Sequence, residues 1–303
     1  MSTIKAPIFK DYPVIVKLVI AGIVIFISFF LFIFIGIAFA VPIFNISSAD
    51  LLDLSNVDNI NFLKYLQIIQ SFGLFIFPAF IIAYLFNRNI GGYLKYTTAP
   101  KIIDVVKVSL LMILAIPLIN FTAQLNSDTL DLILPEDNWL KTMENVALEM
   151  TEKFLNVSTF PDLLLNIFVI AVLPAIGEEL IFRGIVQKLF VEWTKNIHIG
   201  VVFAALIFST IHFQFYGFLP RFLMGLLFGY LYVWSGTIWV PIIAHFVNNG
   251  FAVIIGYLIF NKSIPDNVET IGANKTSLIY LIISVITTGI LIYSIYKKKQ
   301  RIL

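Results

Sequence analysis

At positions 174–183 the sequence reads Pro-Ala-Ile-Gly-Glu-Glu-Leu-Ile-Phe-Arg, inside a long apolar segment that begins near Leu163. Three ionisable residues, Glu178, Glu179 and Arg183, therefore lie where the surrounding residues predict a membrane span. Each charge at the centre of a membrane helix costs roughly 2.5–3.5 kcal/mol on insertion scales. Charges that are this unfavourable indicate a candidate functional site.

The composition predicts a membrane protein. Of the 303 residues, 59% are hydrophobic and 13% are charged, and the mean hydropathy is +0.95. A soluble domain usually carries about 25% charged residues. The absence of cysteine excludes disulfides, thiolate zinc sites and cysteine nucleophiles. A net charge of +2 is too small to indicate a nucleic-acid partner. Because the composition is so apolar, we expect membrane lipids as the surroundings.

Apolar segments of about 20 residues predict an all-α, polytopic bundle of about eight transmembrane helices. The predicted spans begin near Lys17, Leu66, Val105, Leu163, Ile199, Pro220, Thr237 and Leu278. We expect a single membrane domain, in which residues 1–130 are supporting spans and residues 160–260 form the catalytic core. Residues 277–303 are the last span and a basic tail. Residues 139–155 predict an amphipathic helix at the membrane surface.

The charge pattern predicts the topology. Lysine and arginine residues occur in the N-terminal tail, the 2–3 loop, the 4–5 loop and the C-terminal tail, whereas the 1–2 and 3–4 loops are acidic. The positive-inside rule therefore predicts cytoplasmic N- and C-termini. The first apolar run exceeds the roughly 7–15 residues of a cleavable signal. We expect an integral protein of a bacterial inner membrane.

Polar residues recur four positions apart on three predicted spans. Glu179 and Arg183 share a helix face and can form an ion pair. The other pairs are Phe208 with His212 on the fifth span, and His245 with Asn249 on the seventh. Glu178 is rotated by about 100° from Glu179, so it faces away from the ion pair. Because Glu178 and His212 are equally distant in sequence from Lys195, at the predicted hairpin tip, we expect them at the same height.

These residue types allow two kinds of hydrolytic site. A carboxylate that is shielded from water can act as a general base toward a water molecule. Imidazole and amide side chains can orient that water or donate to an oxyanion. Alternatively, Glu178, His212 and His245 can bind a divalent metal such as zinc, which activates the water. The residues leave open whether the cofactor is such a metal or none.

Three motifs occur in order: Glu178-Glu179-x-x-x-Arg183, Phe208-x-x-x-His212 and His245-x-x-x-Asn249. They resemble those of the type II CAAX prenyl endopeptidase and bacteriocin-processing (CPBP or Abi) family of intramembrane proteases. The resemblance implies an endopeptidase that cleaves a peptide or protein substrate near the membrane.

The resemblance also implies a role for each motif residue. Glu178 and His212 would activate water, and His245 and Asn249 would stabilise the oxyanion. Glu179, Arg183 and Phe208 would support the site.

Two other functions are considered. Some members of the family act in bacteriocin immunity or as partners of other membrane proteins, so a catalytically silent scaffold or immunity factor is the alternative. Buried glutamate and histidine residues also form proton relays in transporters. Transporters, however, usually contain repeated halves with broken helices, and the sequence shows no such repeat.

Overall fold

The computed structural model describes residues 7–47, 59–135 and 137–300, except for the side chains of residue 275 and residues 298–300. Several charges used in the topology prediction lie outside the described residues: Lys5, Asp50, Asp53, Asp58, Glu136 and Arg301. The described part contains helices and no strand, which confirms the predicted all-α membrane bundle.

The helices follow one another with short connections. Their bounds are α1 Val14–Phe44, α2 Ile60–Phe86, α3 Ile90–Leu94, α4 Ile102–Ile133, α5 Trp139–Leu155, α6 Phe160–Thr194, α7 Ile197–Thr210, α8 Phe218–Ser235, α9 Trp239–Phe260 and α10 Leu278–Gln300. In the described part of the chain, seven helices are long and apolar enough to cross a membrane. The apolar α7 is shorter, so the predicted eight spans correspond to seven long helices and one short helix.

Helix α7 differs most from its prediction. It ends at Thr210, so His212 lies beyond the helix rather than within the fifth span. With 14 residues, α7 rises about 21 Å, which is less than the roughly 30 Å of a bilayer core. Phe213 follows with a φ of 53°, and this left-handed conformation ends the helix and turns the chain toward α8. The end of the helix coincides with the polar residues Ser209, Thr210 and His212, which the apolar run of the predicted fifth span had included.

Helix α4 also differs, because it continues to Ile133, into the stretch that was predicted as the acidic 3–4 loop. The polar residues of its last turns find partners in the segment that follows α7. Asn126 donates to the carbonyl oxygens of Phe215 and Tyr216 at 2.9 and 2.7 Å, and Asp131 accepts from the Tyr216 hydroxyl at 3.1 Å. The polar character that predicted a loop therefore serves helix contacts.

Helix α6, which carries the acidic stretch, contains two π-helical segments, Ile167–Val172 and Phe182–Val186. Pro174 lies two residues after the end of the first segment. A proline inside an α-helix lacks an N–H and clashes with the carbonyl four residues earlier. A wider π turn at that point relieves both problems. Such segments occur often at functional sites, and these two flank Glu178 and Glu179.

Two apolar clusters of buried residues join the helices. One joins α1, α2, α3 and α6 and includes Ile82, Leu94 and Ile185. The other joins α4, α8, α9 and α10 and includes Leu111 and Phe228. The division of the chain into supporting and catalytic spans stays a prediction.

Helices α7 and α8 approach each other closely, as the spacing of Gly225 and Gly229 predicts. A Cβ atom added at Gly225 would lie 3.0 Å from the Cβ of Ala205, and one at Gly229 would lie 2.8 Å from Val201 Cγ1. The short helix α7 is therefore held against α8 by backbone contact.

Candidate active site

Glu179 on α6 contacts two cationic or polar partners with its two oxygens. Oε2 lies 2.9 Å from Nε of Arg183, at the distance of an ion pair although the groups are not aligned as a hydrogen bond. Oε1 lies 3.1 Å from Nδ1 of His245 on α9. Both Glu179 and Arg183 are completely buried. The predicted Glu179–Arg183 pair is confirmed, and the structure extends it to a third residue on another helix.

Arg183 is stabilised by aromatic rings as well as by Glu179. Its guanidinium carbon lies 5.3 Å from the ring centre of Phe208 and 5.8 Å from that of Phe228. Cation–π contacts in a desolvated site contribute about 2 kcal/mol or more. Phe208, predicted as a supporting residue, thus packs directly against the buried charge.

Glu178 faces the same imidazole as Glu179 from the other side. Its Oε2 lies 3.9 Å from Nε2 of His245, while Glu179 holds Nδ1. Both His245 and Glu178 are buried. The His245 ring stacks on Phe228, with centroids 5.3 Å apart and an interplanar angle of 24°. Packing and the Nδ1 contact therefore fix the ring so that Nε2 is directed to Glu178.

His212 lies just beyond the end of α7. Its Nδ1 is 2.7 Å from the carbonyl oxygen of Phe208. Because a carbonyl only accepts, Nδ1 carries the proton, and Nε2 of the neutral ring is a proton acceptor. The ring of Phe208 lies between the two histidines, with centroids 5.1 Å from His212 and 6.1 Å from His245. Both imidazoles therefore pack against the ring of Phe208.

Asn249 follows His245 by one turn of α9. Its Nδ2 donates to the carbonyl oxygen of Ile170, in the first π segment of α6, at 3.1 Å. Its Oδ1 accepts from Nδ2 of Asn248 at 3.1 Å. The oxyanion role of Asn249 stays a prediction.

The sequence analysis assigned no site role to Arg221. Arg221, in the first turn of α8, donates to the backbone oxygen of Gln214 at 2.6 Å and to its Oε1 at 2.8 Å. Arg221 also interacts electrostatically with Glu178 and with Glu144 of α5. The signal was nevertheless present, because a charge within an apolar span is a functional candidate by default.

Glu178, His212 and His245 are the residues predicted to hold a metal ion if one is bound. Within the described ranges, no group of three or more His, Cys, Asp or Glu side chains is arranged to hold a metal ion. The side chains of Glu178, His212 and His245 therefore do not fit a metal as they are placed here.

The fold and the site together define a polytopic all-α membrane protein with a buried Glu-Glu-His cluster between α6 and α9. Residues 160–251 match the family model of the type II CAAX prenyl endopeptidase Rce1-like proteins. This segment contains α6, α7, α8 and the part of α9 that carries His245 and Asn249. The resemblance indicated by the three motifs is confirmed over this segment.

Curated relatives also match the chain over about 90 to 100 residues. The chain is 35% identical over 86 residues to the uncharacterized protein YpbD of Bacillus subtilis, covering 27% of this chain and 41% of the relative. It is 36% identical over 91 residues to the putative membrane peptidase YdiL of B. subtilis, covering 30% and 37%. It is 35% identical over 98 residues to the membrane-embedded CAAX protease MroQ of Staphylococcus aureus, covering 30% and 39%.

These matches span less than half the length of those three relatives. No solved structure matches the chain significantly.

Proposed function

We propose that this protein is an intramembrane endopeptidase that hydrolyses a peptide bond with a water activated by Glu178. One observation carries the proposal: Glu178 and Glu179 face opposite nitrogens of the buried His245. A structural role for the ion pair explains Glu179 and Arg183, but it leaves the second buried carboxylate unexplained. The matched family and the names of the relatives support a peptidase.

In the proposed reaction, Glu178 accepts a proton from water while the water oxygen bonds to the carbonyl carbon of the substrate. His212, with Nδ1 held by Phe208, orients the water through Nε2. His245, when protonated, donates Nε2–H to the oxyanion, and Asn249 supplies a second donor. The C–N bond then breaks, and the proton held by Glu178 passes to the leaving amine.

Glu179 acts as a positioning residue in this scheme. By accepting from Nδ1 of His245, it fixes the tautomer and the ring orientation, in the way that a carboxylate orients a catalytic imidazole elsewhere. Arg183 in turn balances the charge of Glu179. We further propose a bacterial inner-membrane location with both termini cytoplasmic, and a peptide or protein substrate at membrane depth.

The proposal is tested by comparing peptides released from membranes that contain the wild-type protein or the Glu178→Gln variant. Glu192→Gln is a matched control, because Glu192 lies on the same helix and pairs with Lys17, at 2.8 Å. We expect products from wild type and Glu192→Gln and a loss of about 10²–10⁴-fold in Glu178→Gln, the usual contribution of a general base. Equal release by all three proteins would reject the mechanism.

A second experiment separates the metal-independent reaction from a metal-assisted one. The purified protein is treated with a chelator, and its metal content and cleavage rate are measured together. We expect cleavage to persist in metal-free protein. Activity that disappears with the metal and returns on adding zinc would replace the proposed mechanism by a metal-assisted one.

A catalytically silent scaffold or immunity factor remains the alternative function. It predicts that the Glu178→Gln protein keeps its biological effect although it releases no peptide. A complementation assay with this variant therefore distinguishes the two functions.

A further inference from the structure

Two lysine side chains lie over one buried tyrosine ring near the end of α6. The ammonium nitrogen Nζ of Lys188, on α6, lies 5.8 Å from the centre of the Tyr232 ring, and Nζ of Lys95, directly after α3, lies 4.9 Å from it. Lys188 Nζ also lies 4.4 Å from the centre of the Tyr93 ring. Both lysines are half-buried, whereas Tyr232, on α8, is only 4% exposed. Helices α3, α6 and α8 therefore bring two cations to a single aromatic ring.

The backbone around Lys95 is fixed by residues at the start of α9. The carbonyl oxygen of Lys95 accepts from the hydroxyl of Thr237 and from the backbone N–H of Ile238, each at 3.3 Å. The indole N–H of Trp239 donates to the carbonyl oxygen of Tyr96 at 2.7 Å. The connection that presents Lys95 is thus already ordered, which reduces the entropy that binding through its side chain would cost.

Lys188 does not pair with the carboxylate that its own helix offers. Glu192 follows it by four positions, the spacing at which a lysine and a glutamate on one helix face can pair. Glu192 instead pairs with Lys17 of α1, at 2.8 Å. Among the residues that the structure describes, Lys188 Nζ contacts aromatic rings and forms no ion pair. The pairing of Glu192 with Lys17 therefore leaves the charge of Lys188 available to an anion from outside the chain.

Two further features of this cluster favour a bound anion. The two ammonium groups repel each other, and their cation–π contacts offset this repulsion only in part. The hydroxyl of Tyr232 is buried with no hydrogen-bond partner within the described part of the chain. A buried polar group that is left unpaired is unfavourable. An anion that binds between the lysines would relieve the repulsion and supply an acceptor for this hydroxyl.

We propose that Lys95 and Lys188 form a binding site for a phosphate group, which is either the headgroup phosphate of an anionic phospholipid or free phosphate. A phosphate carries the negative charge and the several acceptor oxygens that two ammonium groups can share. The lysines lie at the end of the bundle that the charge pattern predicts to be cytoplasmic, where basic pockets between transmembrane helices bind anionic headgroups. This proposal does not depend on the proposed proteolysis.

Binding to the delipidated, full-length protein in detergent tests the proposal. Native mass spectrometry measures the affinity for phosphatidylglycerol and for zwitterionic phosphatidylcholine. The melting temperature is measured in inorganic phosphate and in sodium chloride of the same ionic strength. If the site takes a lipid headgroup, we expect about 30-fold tighter binding of phosphatidylglycerol, since each lysine near an anionic lipid contributes about fivefold. If it takes the free ion, phosphate should raise the melting temperature and chloride should not.

Substitutions locate the site. Lys188→Gln should lower the affinity about fivefold and Lys95→Gln/Lys188→Gln about 30-fold, whereas Lys188→Arg, which keeps the charge, should retain binding. Lys195→Gln is the control for a lost charge, because Lys195 is exposed just after the same helix, and it should bind like wild type. Lys17→Met should also weaken binding, since it releases Glu192 to pair with Lys188.

Three results would overturn the proposal. The first is equal affinity for both lipids together with no effect of phosphate. The second is unchanged binding by the folded Lys95→Gln/Lys188→Gln protein. The third is an equal loss of affinity in Lys188→Gln and Lys195→Gln, which would assign the effect to net charge at this end of the bundle. Melting curves recorded without lipid or phosphate show that each variant is folded, so a loss of binding is distinguished from damage to the fold.

Discussion

Replacing Glu179 by glutamine should destabilise the protein more than any other single change at the site. Both partners of the Glu179–Arg183 pair are completely buried, so the variant leaves a guanidinium without its counter-charge. Removing one partner of a buried ion pair costs about 3–5 kcal/mol, because the remaining charge stays desolvated. The rings of Phe208 and Phe228 offset only part of this cost. We therefore expect a loss of about 3–5 kcal/mol in the free energy of unfolding.

Replacing the other partner of the pair, in Arg183→Met, should lower the free energy of unfolding by less than Glu179→Gln does. It leaves Glu179 with His245 as a partner at 3.1 Å, whereas an unpaired arginine stays charged under all ordinary conditions. The double variant Glu179→Gln/Arg183→Met removes both charges and should recover most of the stability lost in Glu179→Gln. Unfolding is followed by circular dichroism in mixed micelles with increasing SDS. If the double variant loses as much free energy of unfolding as the two single variants together, the unpaired charge is not the cause of the loss and the explanation is wrong.

Two further predictions concern packing and protonation. Gly225→Ala should lower the melting temperature, because its Cβ would lie 3.0 Å from that of Ala205, whereas Gly22→Ala, with nothing within 4 Å, should not. Burial raises the pKa of Glu144, so its ionised form destabilises the folded state at neutral pH. Glu144→Gln should therefore melt at a higher temperature than wild type at neutral pH, and this difference should shrink as the pH falls toward the ordinary glutamate pKa. A difference that grows on acidification would refute that account of Glu144.

The sequence predicted what depends on local periodicity. The apolar runs gave the long helices, and the spacing of Glu179 and Arg183 gave their ion pair. The amphipathic pattern of residues 139–155 gave α5 with its observed bounds, Trp139–Leu155. In each case the information lies within a few turns of one helix, where geometry relates sequence spacing directly to a shared face.

Contacts between helices could not be read in the same way. Glu179 and His245 are 66 residues apart, and nothing in their spacing indicates that they form a hydrogen bond. The partner of Arg221 could not be read either, because Gln214 lies outside α8, in the turn that follows α7. The sequence analysis treated Glu179 and Arg183 as a pair sufficient in itself, whereas the structure makes Glu179 the link between a buried charge and an imidazole.

The early end of α7 explains why α5 lies where it does. The last carbonyl groups of a helix lack intrahelical partners, and in lipid every such group must be satisfied by protein. Nδ1 of His212 donates to the carbonyl oxygen of Phe208, and the backbone N–H of Phe213 donates to the carbonyl oxygen of Thr210 at 3.1 Å. Irregular backbone at membrane depth also has to be shielded from lipid, and α5 packs against Phe215–Gly217 directly after this turn.

An amphipathic helix expected on the membrane surface is thereby used to cover the segment that carries His212. The early end of α7 places His212 in the turn and Arg221 in the first turn of α8, and it also leaves irregular backbone that α5 covers. A full-length transmembrane helix in the place of α7 would satisfy its own backbone, but it would remove the turn that carries His212 and the Gln214 contacts that hold Arg221.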